Sequence, residues 1–221
     1  MLLGIIKEFF LVIYYPFASI ANIFFRGEAK KTDKRTIVMV ERWFNSNPMH
    51  KFWKRYFEEQ GFDVYLINFP IYKGTFETSA ALLAEYIESL NLKNFTLVGI
   101  SSGGITSLLY LEQYKGWEKV DKFISLGAPF KGTPKAFFIS FVKSGFELLP
   151  GSGFMRKFKN LEITNKDKII CLRAKMDEMV PDWSSSIDGT RTETLDIIGH
   201  NKFHLDSKET YEKILQLLTK T

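Results

Sequence analysis

The chain has 221 residues, 45% of them apolar, which is enough for one domain with a substantial core and too few for two of ordinary size. Its net charge of +5 would suit a polyanion, but the Lys and Arg are scattered and no recognition motif accompanies them, which argues against nucleic acid as a partner. A basic face toward an anionic membrane surface, or simply toward solvent, fits better, and the single Cys171 excludes an internal disulfide.

Taken in chain order, residues 1–28 come first. They are apolar apart from Lys7, Glu8, Ser19, Asn22 and the closing Arg26-Gly27-Glu28, with a nearly unbroken run from Phe9 to Ala21. The run is shorter than the roughly 20 residues of a transmembrane helix, and Pro16 would kink it, so the expectation is an anchor that lies in or enters a membrane. An amphipathic helix packed on the domain itself is the competing reading. The basic residues Arg26, Lys30, Lys31, Lys34 and Arg35 follow, and if the segment spans, they place the remaining domain on the cytoplasmic side.

After this linker, short β-rich runs alternate with helical patterns. Strands are expected at Thr36–Val40, Phe62–Phe69, Phe95–Ile100, Val120–Leu126, Lys168–Ala174 and Thr192–Ile198, and helices at Met49–Gln60, Thr78–Leu90, Ser102–Tyr114 and Ser207–Leu218. Such alternation predicts an α/β domain over residues 29–221, with a mostly parallel sheet covered by helices on both faces. Cys171 falls in the apolar run Ile169–Leu172, where a buried thiol is expected. Between about residues 130 and 162 no strand pattern appears and Phe residues cluster. This predicts a short helical cap, with two ordinary layer helices as the alternative.

The sharpest chemical signal is Gly99-Ile100-Ser101-Ser102-Gly103-Gly104, between an apolar strand and a helical run. Glycines flanking a serine at this spacing, in strand–turn–helix context, let a strained turn lift the hydroxyl above the strand ends. A serine hydroxyl is a weak nucleophile until a base takes its proton, so a histidine is required. His50 precedes the turn, whereas His200 and His204 follow the last strand. His200 sits in the expected loop directly after it and is preferred as base, with His204 the alternative. The acid is expected just past the strand Lys168–Ala174, where Asp177 fits and Glu178 and Asp182 are neighbours. Backbone N–H groups of Ser102 and of a residue near Trp43 would form an oxyanion hole. No phosphate-binding loop and no metal-ligand spacing is present, so neither cofactor nor metal is expected.

These motifs resemble the bacterial lipase and esterase branch of the α/β-hydrolases, from about Thr36 to the C-terminus. The Ser101 turn looks like that family's G-H-S-x-G-G, and Ser125-Leu126-Gly127-Ala128-Pro129-Phe130-Lys131-Gly132-Thr133 is similar to its S-L-G-T-P-H-x-G-T segment, after which such lipases carry a lid. Leu149-Pro150-Gly151-Ser152-Gly153-Phe154 resembles a lid-region P-G-S-x-F. Asp177-Glu178-Met179-Val180-Pro181 looks like its acid loop, and Gly199-His200 like the G-H that supplies the base. The resemblance implies a Ser101, Asp177 and His200 triad acting on lipid-like or small-molecule esters. Thioesterase, acyltransferase and non-catalytic, membrane-tethered relatives share the fold and are the alternatives. Two positions depart from the family: Val40-Glu41-Arg42-Trp43 stands where V-H-G is usual, and Ile100 replaces the histidine before the nucleophile.

Overall fold

The computed structural model describes residues 34–41, 50–69, 74–205 and 207–219. The expected N-terminal anchor, Arg42 and Trp43 lie outside the described residues. Among the described residues six strands form one parallel sheet: β1 (Thr36–Glu41), β2 (Asp63–Asn68), β3 (Phe95–Ile100), β4 (Val120–Leu126), β5 (Ile169–Met176) and β6 (Arg191–Ile198), in the order β2-β1-β3-β4-β5-β6. The chain moves from β1 outward to β2 and then returns to the other side of β1 as β3. That reversal opens a crevice at the carboxyl ends of β1 and β3, the place where open α/β sheets hold their ligands.

A parallel strand covered on both faces must be apolar at successive positions, and these are. In β1, Val38 and Val40 join the core on one face and Ile37 and Met39 the core on the other. The first core is closed by helices α2 (Phe76–Ser89) and α3 (Gly103–Gln113), through Ala80, Leu83, Ile105 and Leu108. The second is closed by α1 (His50–Glu59) through Trp53 and Phe57, and by the final helix Lys208–Thr219 through Ile214 and Leu217. Trp53 meets Tyr211 edge-on at 4.5 Å, which ties those two helices together. Cys171 is fully buried in the first core.

Between β4 and β5 the chain runs through a 3₁₀ turn at Pro134–Ile139 and the short helices α4 (Lys143–Glu147) and α5 (Gly153–Lys159). This insertion combines the two expected readings. Its inner side is core, because Ala136, Leu148, Phe154, Met155 and Phe158 are buried with α2 and α3, and Phe154 stacks on Phe76 at 5.1 Å. The buried Glu147 carboxylate accepts the Phe76 N–H at the start of α2. Its outer side is apolar and exposed: Phe137, Phe138, Phe141 and Phe146 are 70%, 73%, 78% and 55% accessible.

One expectation is corrected. The residues after β6 were expected as a loop, but His200–Leu205 form a helix, α6, followed by α7 (Lys208–Thr219). Gly199, at φ 107°, ends the strand and permits the turn, and burial of Phe203 and Leu205 holds the six residues helical although their own pattern is too short to read. No helix among the described residues is long and apolar enough to cross a membrane.

Candidate active site

The turn between β3 and α3 is built by sterics. Ser101 has φ 50°, a left-handed conformation that costs a non-glycine residue on the order of 1–3 kcal/mol. The strain is held by close packing on either side, which only glycines allow. A Cβ on Gly99 would stand 2.6 Å from Gly104 Cα; one on Gly103 would strike the Val40 carbonyl and come within 2.9 Å of Glu41 Cα; one on Gly104 would collide with the Ala128 methyl. Helix α3 therefore starts hard against the ends of β1 and β4, with Ser102 at its N-cap. Backbone N–H groups and the positive end of the helix dipole thus collect beside Ser101.

Three side chains meet there, from the turn after β3, the loop after β5 and the first residue of α6. Ser101 Oγ lies 3.1 Å from His200 Nε2, and His200 Nδ1 lies 2.7 Å from Asp177 Oδ2. Asp177 is seated by its other oxygen, which accepts the N–H groups of Met179 (2.9 Å) and Val180 (2.8 Å). Burial pushes its carboxyl upward in pKa, but the charge and hydrogen bond of His200, the charge of His204 and the Val180 N–H outweigh burial, and the net shift is below the usual carboxylate value. An ionised carboxylate only accepts, so the hydrogen between the two sits on Nδ1. When the ring is neutral, Nε2 is then the acceptor for the Ser101 hydroxyl. Ser101 and His200 are both buried.

Of the sequence-derived candidates, the structure brings Ser101, Asp177 and His200 together and puts Ser102 at the adjoining helix start. His204 is also close but does not line up with the hydroxyl. Its Nε2 lies 2.9 Å from the Leu126 carbonyl oxygen, and its ring meets the His200 ring edge-on at 4.1 Å. Glu178 has a role that its position next to Asp177 did not suggest, since its carboxylate accepts the backbone N–H of His200 at 2.9 Å. The Asp182 carbonyl takes the Ser185 hydroxyl in a local turn. Glu41 ends β1 as a buried residue. Among the described residues no group of His, Cys, Asp and Glu is arranged to hold a metal ion.

The acid loop is stapled to the segment after β4. Phe130 N–H donates to the Ser184 carbonyl (2.9 Å), Lys131 N–H to Ser184 Oγ (3.0 Å), and Ser184 Oγ to the Gly132 carbonyl (2.6 Å). Thr133 Oγ1 donates to the Met179 carbonyl at 2.5 Å. The stretch Phe130-Lys131-Gly132-Thr133 thus clamps the start of the insertion to the Asp177 loop.

Solved structures resemble this fold at low sequence identity. The mature lipase BlEst2 of Bacillus licheniformis is 18% identical with a TM-score of 0.67, over 89% of this chain and 96% of that one. A monoacylglycerol lipase of Paleococcus ferrophilus is 15% identical with a TM-score of 0.63, over 83% and 93%. An esterase from Exiguobacterium antarcticum is 19% identical with a TM-score of 0.57, over 84% and 92%. No curated protein sequence matches the chain. The model of the alpha/beta hydrolase fold family matches residues 43–169, more than half of the chain, and the protein belongs to that family.

Proposed function

We propose that the protein is a serine hydrolase that cleaves carboxylic esters, with Ser101 as nucleophile, His200 as base and Asp177 as the acid that orients it. The observation that carries this reading is the hydrogen-bonded relay from Ser101 Oγ through His200 to Asp177, at 3.1 and 2.7 Å. His200 Nε2 takes the hydroxyl proton as Ser101 Oγ bonds to the ester carbonyl carbon. The resulting imidazolium is stabilised by Asp177 and returns the proton to the departing alcohol. Water then adds to the acyl-enzyme, again giving its proton to His200, and releases the acid. The developing oxyanion is held by the Ser102 and Trp43 N–H groups.

Lipid-like esters are the proposed substrates. Four exposed phenylalanines on the insertion, flanked by exposed Lys135 and Lys143, would seat the site against an anionic apolar surface. In this reading residues 1–28 are a membrane anchor and residues 29–221 the catalytic domain on the cytoplasmic side. The test is labelling of the purified chain by a fluorescent fluorophosphonate, followed by hydrolysis of p-nitrophenyl esters of rising chain length. Labelling lost in Ser101→Ala and a long-chain optimum are expected. Labelling that persists in Ser101→Ala would sink the nucleophile assignment, and a short-chain optimum would sink the lipid part alone.

A further inference from the structure

His204 lies one helical turn beyond His200 on α6, almost completely buried. The Leu126 carbonyl it meets is already engaged, because the same oxygen accepts the Ser101 N–H at 2.8 Å. A carbonyl oxygen has two lone pairs and donates nothing, so His204 Nε2 carries the hydrogen in this contact. One oxygen at the end of β4 therefore ties the backbone of the serine to His204, whose ring rests edge-on against the ring of His200 at 79°.

The cluster is closed by Gly127, at φ 52°. A Cβ there would stand 3.0 Å from His204 Nε2 and 3.3 Å from Asp177 Oδ2, so His204, Gly127 and the carboxylate are packed with no room for a side chain between them. An apolar ring would fill the volume of His204 equally well. Only a donor can take the second lone pair of the Leu126 carbonyl.

We propose that His204 is a positioning residue which, through its Nε2–H bond to the Leu126 carbonyl and its edge contact with His200, fixes the distance between the Ser101 hydroxyl and the His200 ring. The inference rests on the hydrolase reading above. A misplacement of about 1 Å can cost on the order of a hundredfold in rate, so releasing this tie lowers turnover without removing any group that touches substrate.

The experiment compares wild type, His204→Phe and His204→Gln in steady-state hydrolysis of a soluble p-nitrophenyl ester, in the rate of fluorophosphonate labelling and in thermal unfolding. Phe keeps a ring and removes the donor. Gln places an amide N–H at the same bond count from Cβ as Nε2 and restores it. Expected for His204→Phe is a fall in kcat and labelling rate of about tenfold to a hundredfold with KM little changed, and for His204→Gln a return to within a few-fold of wild type. A folded His204→Phe with wild-type kcat overturns the inference. So does a folded His204→Gln whose kcat falls about tenfold or more below wild type, and this arm still decides the matter if the Phe variant does not fold. A wild-type chain that neither labels nor turns over ester would instead bring down the hydrolase reading, and the inference with it.

Discussion

Replacing Gly103 by alanine tests how the Ser101 turn is held. The added Cβ would stand 2.7 Å from the Val40 carbonyl carbon and 2.9 Å from Glu41 Cα, and closer still to the Val40 carbonyl oxygen. Ordinary contact begins near 3.4 Å, so α3 and the end of β1 must part by more than about 1 Å to clear that oxygen. All of these atoms are backbone, and no side chain can swing aside. Overpacking of this kind costs about 1–3 kcal/mol, which for a domain of this size lowers the melting midpoint by about 2–12 °C. Because Ser101 and Ser102 ride on the start of α3 while β1 leads toward Trp43 in sequence, the same displacement would, in the proposed mechanism, separate the nucleophile from one side of its oxyanion hole. The expected fall in kcat/KM is about tenfold to a hundredfold. Gly153→Ala is the control: that Cβ would meet only Arg156 Nη2, at 4.0 Å, on the first residue of α5, so stability should be unchanged or raised by about 0.5–1 kcal/mol. Calorimetry and p-nitrophenyl ester kinetics on both variants decide it. A Gly103→Ala protein that melts and turns over like wild type would refute the steric account.

Other outcomes follow from the same geometry. Asp177→Asn should leave the fold intact and lower kcat by about 10⁴, since an amide no longer holds the His200 hydrogen on Nδ1; a loss under tenfold would remove Asp177 from the relay. The Asp177 carboxyl is held below its ordinary value in the folded state, so it stabilises the protein at pH above the unfolded value of about 3.9, and that contribution is lost as the pH falls through the folded value. Unfolding of wild type and Asp177→Asn measured from pH 7 downward should therefore show a stability gap that closes only in the acid range. Exchanging Phe137 and Phe141 for serine should change stability by less than about 0.5 kcal/mol, because both rings are exposed, while lowering activity on vesicle-borne long-chain esters and sparing soluble short ones. Removal of residues 1–28 should release the protein from the membrane fraction, and unchanged partitioning would contradict the anchor.

The sheet was readable because parallel strands buried on both faces carry apolar runs that turn residues punctuate. β3 and β4 fall at Phe95–Ile100 and Val120–Leu126, the bounds expected from sequence, and β1 differs only by Glu41. The Gly99-to-Gly104 motif was equally readable, since each of those glycines answers a collision that any side chain would cause. What escaped were features set by tertiary contact. Helix α6 has six residues, too few to show a period, and it forms because Phe203 and Leu205 are buried. Seen as a helix, the four-residue spacing of His200 and His204 puts both rings on one face; read as a loop, it carries no such information. In the insertion, inner Phe154 and Phe158 and outer Phe137 and Phe141 are the same residue type, so composition could not tell core from surface. Glu178 gave no signal either, as its partner is a backbone N–H supplied by the start of α6, 22 residues on.

The central claim is a covalent one, and locating the covalent adduct tests it most directly. The purified chain, with lipid vesicles present, is treated with a fluorophosphonate, digested and analysed by tandem mass spectrometry. The account predicts a single adduct, on Ser101, which fails to form in His200→Ala over the time that labels wild type fully. An adduct on another residue, or none at all on the folded chain, would contradict it.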